Sequence, residues 1–163
     1  MEVMEASATR GLEENRLEVF PVFSTGQYPV SQLLIHYYCW WPDWLTDKKF
    51  PVKRHSTNRV GITYVGSFQK DPTHKGVVRK ALENKFRVDK KMIHEEVLLF
   101  GIEYYQEIWK NPIVFIHKPI LGPKKKNYVF ALKPVPPNKR MVLLTEIPNR
   151  WSKDCLFASF FNL

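Results

Sequence analysis

Cysteine is scarce in this chain: the 163 residues hold two, Cys39 and Cys155. That is too few for the disulfide framework of a small secreted domain. Glycine is scarce as well, at seven residues, which excludes a collagen-like chain or a flexible Gly/Ser linker. No apolar run approaches the ~20 residues of a membrane-spanning helix; Val97–Gly101 and Met141–Leu144 are the longest candidates. The segment Met1–Arg16 is acidic and carries no apolar stretch, so it reads neither as a signal peptide nor as an Arg-rich transit peptide. Asn-x-Ser/Thr is absent. Together these absences lead us to expect an intracellular protein, nuclear or cytoplasmic, with reduced thiols and no transmembrane segment.

What is present is positive charge, unevenly spread. The chain carries 25 Lys and Arg against 16 Asp and Glu, a formal +9. Residues 1–47 hold seven acids and two bases, a net −5, and the remaining residues 48–163 hold 23 bases and nine acids, a net +14. Two blocks stand out: 48–91 with 13 bases and three acids, and 110–140 with eight bases and no acid. A basic body of this kind suits a polyanionic partner, and it also suits a solvated surface that keeps a protein in solution. Lys48-Lys49 with Lys53-Arg54, and Lys124-Lys125-Lys126, could also serve nuclear import, a pattern that arises easily in so basic a chain.

Residues 1–15 read as a flexible acidic tail, and 16–163 as a single domain. Within it, Arg16–Phe23 reads as a strand that Pro21 keeps at an edge. Val30–Trp41 reads as a helix capped by Ser31 and stopped by Pro42. Asp43–Asn58 is a polar, basic loop, and the alternating, β-branched Arg59–Phe68 is a strand with Gly61 and Gly66 marking a bulge or kink. Asp71-Pro72 has the form of a helix start. Val77, Val78, Ala81, Leu82 and Phe86 follow on one face of that helix. Asp89 can cap a further helix to about Lys110, with Ile93, Val97, Phe100, Tyr104 and Ile108 as its apolar stripe and Glu95, Glu96, Glu103 and Glu107 as an acidic element. Ile113–His117, Tyr128–Leu132 and Met141–Ile147 read as a three-stranded meander, and Lys153–Phe161 as a last helix capped by Ser152. The expected fold class is α+β: an antiparallel sheet packed against about four helices.

Motifs for chemistry are thin. His94-Glu95 begins like the zinc-protease helix motif, yet Leu98 stands where the second histidine belongs, which leaves a surface His–Glu pair. His36 and Cys39 are three apart and could share a ligand, but no CxxC or HxxxH pair completes a site. Both cysteines sit among apolar residues and read as buried, inert thiols. GxxxxGK[ST] and GxGxxG are absent. No metal, no cofactor and no positioned nucleophile–base pair is implied, so we expect a protein that is not an enzyme.

The residues Arg140–Phe161 resemble the opening of an RNA recognition motif, with Ile147-Pro148, Trp151-Ser152, Leu156 and Phe160 in matching places. The likeness covers 22 residues, and Leu143, Leu144 and Thr145 stand where the family's stacking aromatic belongs. It therefore implies a strand–turn–helix unit rather than RNA binding.

Nucleic-acid binding is suggested instead by bases interleaved with aromatics. Lys48-Lys49-Phe50 through Lys53-Arg54 is one such place, and Lys124-Lys125-Lys126-Asn127-Tyr128 is another. Lys75, Arg79 and Lys80 could lay a cationic stripe on phosphates. The leading expectation is a nucleic-acid-binding regulatory protein, RNA ahead of DNA, with Lys53, Arg54, Lys75, Arg79, Lys80 and Lys124–Lys126 on phosphates and Tyr128 or Phe50 stacking. The alternative is an adaptor or accessory subunit that meets an acidic protein partner. Trp40, Trp41 and Trp44, three Trp in five residues, would then be its anchor. The order of elements does not say whether the two basic blocks meet.

Overall fold

A computed structural model describes residues 16–22, 28–52, 59–65, 68–83, 86, 88, 94–103, 111–136 and 139–161. The chain is mixed α+β. Three α-helices lie among the described residues: α1 (Val30–Tyr37), α2 (His74–Glu83) and α3 (His94–Glu103). The strands are β1 (Arg16–Val22), β2 (Arg59–Val65), β3 (Ile113–Phe115), β4 (Ile120–Leu121), β5 (Asn127–Val135), β6 (Lys139–Glu146) and β7 (Leu156–Phe161). They form one sheet in the order β1-β2-β7-β3-β5, with β4 and β6 also paired to β5. Pairing is antiparallel throughout except between β3 and β7, which run parallel.

The sheet is covered on both faces, and the period-2 alternation of a strand decides which residue goes where. Along β5, Phe130 and Leu132 join a larger core with Leu33 and Leu34 of α1 and Val97, Leu98 and Phe100 of α3. The alternate residues Val129 and Ala131 join a smaller core with Val77 and Ala81 of α2, Phe86 and Trp151. The same division runs along β7, with Leu156 and Ala158 on the first face and Phe157 on the second. Phe100, Phe115, Phe130 and Phe157 are almost completely buried, each contributing roughly 1.5–3 kcal/mol of transfer free energy.

Several sequence expectations are corrected. The last element is a strand, not a helix: β7 lies between β2 and β3 near the middle of the sheet. A strand covered on both faces carries apolar residues at consecutive positions, and Leu156-Phe157-Ala158 does so here. The sheet is thus larger than a three-stranded meander, and β4 shares the β3 side of β5. Gly61 continues the register between Phe20 and Phe160 without a bulge. The helix expected to reach Trp41 ends at Tyr37, with Tyr38 extended. Beyond it Cys39 N–H donates to Arg140 O (2.9 Å), and Val142 N–H donates to Trp40 O (3.2 Å), so the chain runs along β6 instead.

Capping also differs from expectation. Helix α1 has Pro29 at its N-cap. Asp47 supplies the missing acceptor from a distant turn, taking the Ser31 amide (2.9 Å) and the Ser31 hydroxyl (2.5 Å). For α2 the cap is Thr73, whose hydroxyl accepts the Gly76 amide at 3.0 Å. Asp71 is used otherwise: its carboxylate accepts Lys153 N–H (2.9 Å) and its carbonyl accepts Arg150 (2.8 Å). The acidic tail 1–15, the expected cap Asp89 and the stripe residues Ile93, Tyr104 and Ile108 lie outside the described residues.

Of the acids of helix α3, Glu95 and Glu96 are interior and Glu103 is exposed. His94, Glu95 and Glu96 are buried, each with an interaction partner, so the expected surface His–Glu pair is an interior one. His94 packs edge-on against Phe50 (5.6 Å between ring centres). The cysteines also divide: Cys155 is buried and Cys39 is exposed. Burial pushes the Cys155 thiol up, which keeps it protonated.

Candidate nucleic-acid interface

The segment after α1 carries the bases Lys48 and Lys49 and the rings of Trp44 and Phe50. Phe50 is buried and touches Trp44 and Phe130 (5.9 Å each). It is therefore a core residue and not a stacking platform. Its burial anchors the preceding turn, leaving Lys48 and Lys49 exposed and Trp44 half-buried at the rim.

The second basic segment is the turn between β4 and β5. Lys124 and Lys125 both have positive φ, 59° and 56°, and Lys126 N–H donates back to Pro123 O at 3.3 Å. Positive φ at both central residues is the type I′ pattern, which fits the twist of a hairpin and ordinarily takes Asn-Gly or Asp-Gly. A side chain in the left-handed region costs about 1–2 kcal/mol per residue. What holds the turn is around it. Gly122 N–H donates to Lys126 O (2.9 Å), and the Tyr128 hydroxyl donates to Pro123 O (3.3 Å). Gly122 lies so close to two rings that a Cβ there would sit 2.6 Å from Tyr128 Cδ2 and 2.8 Å from Trp44 Cη2.

Those same rings join the two segments. Trp44 meets Tyr128 edge-to-face with centres 5.2 Å apart, and Lys49 Nζ lies 5.9 Å from the Trp44 ring centre. Segments about 80 residues apart in sequence thus share one rim, with Lys48, Lys49, Lys124, Lys125 and Lys126 exposed around an aromatic pair. Glu146 pairs with Lys126 at 3.2 Å. Both side chains are about half exposed, so the pair is worth ~0–1 kcal/mol and is readily exchanged for another anion.

The other candidate residues go elsewhere. Lys75 and Arg79 are exposed on α2, which packs on the face of the sheet opposite to Trp44 and Tyr128. Lys80 is half-buried with its ammonium 5.1 Å from the Phe68 ring centre, a cation–π contact. The α2 stripe and the Lys124–Lys126 turn therefore do not form one surface. Lys53 and Arg54 follow the rim segment directly but lie outside the described residues.

The tryptophan cluster is divided as well. Trp41 and Trp44 pack on the larger core, and Leu45 is buried within it. Trp40 is 46% exposed, and Tyr28, Ile35 and Tyr37 are exposed as well. Among the described residues no three His, Cys, Asp or Glu side chains gather to hold a metal ion, and none of the helices is long and apolar enough to cross a membrane. His36 and Cys39 are both exposed.

Lys124–Lys126 and Tyr128 are contiguous in the sequence, whereas their junction with Trp44 is made only by the fold. The local signal for it is Gly122-Pro123 between two short β-type runs, a tight turn pressed against a ring. Comparison with protein-family models, with curated proteins and with solved structures gives no match for the chain.

Proposed function

We propose that the chain binds nucleic acid, RNA ahead of DNA, through the rim of Lys48, Lys49 and Lys124–Lys126 around Trp44 and Tyr128, and that it does not catalyse a reaction. The observation carrying this reading is the 5.2 Å Trp44–Tyr128 contact, which joins two exposed basic segments that are remote in sequence. Such a cluster concentrates positive potential where a flexible phosphate chain can follow it. Lys75 and Arg79 would add a weaker, separate contact on the opposite face.

The test is fluorescence anisotropy with labelled RNA and DNA across a salt series. Each neutralised phosphate of a single strand contributes about −0.7 to the slope of log affinity against log salt. Three to five contacts then give a slope of roughly −2 to −3.5. Replacing Lys124, Lys125 and Lys126 with Glu should weaken binding far more than Lys75→Glu with Arg79→Glu. A flat salt response, or equal losses from the two sets, would sink the proposal.

The adaptor reading is favoured by the exposed Trp40 and Ile35, since large apolar side chains left in the open can serve as protein contacts. Its anchor would be Trp40 with Ile35, not Trp41 and Trp44, which already belong to the core rim. A partner recovered from nuclease-treated extract and lost on Trp40→Ala with Ile35→Ala would support it; a partner retained by that variant would not.

A further inference from the structure

The nucleic-acid reading leaves open what part of the strand is recognised, and the rim geometry bears on this. In single-strand binders the usual division gives bases to aromatic faces and phosphates to cations. Here both rings are already engaged. Lys49 stands over the Trp44 ring, with Phe50 at 5.9 Å and Tyr128 at 5.2 Å around its edge. Tyr128 is held by Trp44, by its hydroxyl on Pro123 O and by Gly122 against its ring edge. Lys49 covers one face of Trp44, and the edge and hydroxyl contacts of Tyr128 tie that ring to the turn.

The turn points the same way. Lys124 and Lys125 occupy central positions where Asn-Gly is the easier choice, and their positive φ is fixed by the surrounding bonds. A backbone held in a disfavoured region by its surroundings is a pointer to function at that position. Lysine offers the turn nothing conformationally; what it offers is two adjacent ammonium groups on a tip of defined shape.

We propose that this tip is a phosphate grip: Lys124 and Lys125 take neighbouring phosphates of one strand, and Trp44 and Tyr128 position the tip without stacking on bases. The inference rests on the nucleic-acid reading and narrows it to recognition of the backbone independent of sequence.

The experiment compares labelled RNA oligomers of U, A and C, each of roughly 12 nucleotides, and a DNA oligomer of the same length. Inorganic polyphosphate serves as a competitor without bases. Affinities for the three RNA oligomers should agree within about threefold; stacking on an aromatic also tolerates different bases, so displacement by polyphosphate, which has no bases, is the deciding comparison. Polyphosphate should displace each of them. The variant Lys124→Asn with Lys125→Gly should raise the melting temperature, because both residues suit the turn. It should also lower affinity about 25-fold at 0.1 M salt, equally for every base, the loss of two phosphate contacts at a slope of about 0.7 each. A rise in melting temperature shows that the fold is intact and the loss is one of binding.

A preference above about tenfold for one base, or RNA that polyphosphate cannot displace, would overturn the phosphate grip while leaving RNA binding in place. Undiminished affinity in the Asn-Gly variant would overturn it too. Failure of every strand to bind at low salt would overturn both this inference and the reading beneath it.

Discussion

Acidification should destabilise this protein through His117, and the effect can be worked from its surroundings. The imidazole is 3% exposed, between β3 and β4. Its Nε2 lies 3.1 Å from the Phe130 amide nitrogen and its Nδ1 lies 2.8 Å from Lys118 O. An amide can only donate, so Nε2 accepts; a carbonyl can only accept, so Nδ1 carries the proton. That single neutral tautomer satisfies both bonds, and adding a proton at Nε2 sets two donors against each other. Burial lowers the pKa from 6.5 to about 4, although the bond to Lys118 O pulls it up.

A base whose folded pKa is depressed stabilises the fold fully above its unfolded pKa and loses that contribution as pH falls. The window here is pH 6.5 down to 4, and the loss about 3 kcal/mol, taking ~1.4 kcal/mol per pH unit. For a chain of this length that is roughly 6–12 °C in melting temperature. Urea unfolding of wild type and of His117→Gln at intervals from pH 8 to pH 4 isolates the term, because other groups titrate in both proteins. His117→Gln should be the less stable protein at pH 8 and should lose about 3 kcal/mol less than wild type over the window. Parallel curves for the two proteins, or an NMR titration placing the His117 pKa near 6.5, would refute the reasoning. Burial lowers the His74 pKa as well, and its Nδ1 accepts the Trp151 indole N–H at 3.2 Å; its contribution has the same sign and remains in both proteins.

Two further predictions concern the larger core. Gly101 of α3 faces Tyr38, and a Cβ at that position would strike the Tyr38 hydroxyl, which donates to Leu98 O at 2.7 Å; Gly101→Ala should therefore cost about 1–3 kcal/mol. Adding Tyr38→Phe removes the obstructing oxygen, so the double variant should recover part of the loss, a non-additivity readable by urea unfolding. Asp47→Ala removes the acceptor for the Ser31 amide and hydroxyl at the start of α1 and should cost about 1 kcal/mol, as loss of an N-cap does. The Ser31 bonds hold the Asp47 carboxyl below its ordinary pKa; the stabilisation is thus present at neutral pH and disappears on acidification past the usual carboxylate range, where wild type and Asp47→Ala should converge.

Much of the fold was legible where apolar spacing and local turns agree. β1, β2, α2, β5 and β6 fall close to their expected places because alternation in strands and the Val77–Ala81 face of α2 are local properties. What failed was decided by distant partners. Leu156, Phe157, Phe160 and Phe161 satisfy a helical spacing and equally a strand buried on two faces; pairing with β2 and β3 settles it. The end of α1 depends on backbone acceptors and donors in β6, which nothing near Tyr38 announces. His94 and Glu95 read as a surface pair because carboxylates usually face solvent, but both are buried. The rim was half visible. Lys124–Lys126 and Tyr128 are contiguous, whereas the Trp44 ring reaches them only through the fold, and the opposite placement of α2 follows from which sheet face Val77 and Ala81 cover.

The position of β7 has a consequence for how the molecule is made. Among the described residues β7 follows β6 in sequence, yet in the sheet it lies between β2 and β3. Until it arrives, β1 and β2 form a two-stranded ribbon, a unit of marginal stability on its own. β3 to β6 form a separate group, and β2 and β3 each present a bare edge to the other. A chain emerging from the ribosome therefore carries two incomplete half-sheets until β7 closes the gap. Such non-local closure is slow relative to helix formation, and open edges during the delay invite pairing with other chains. Changes in 156–161 then act at two points: on the finished core, which Leu156, Phe157 and Ala158 help to fill, and earlier, through aggregation during synthesis.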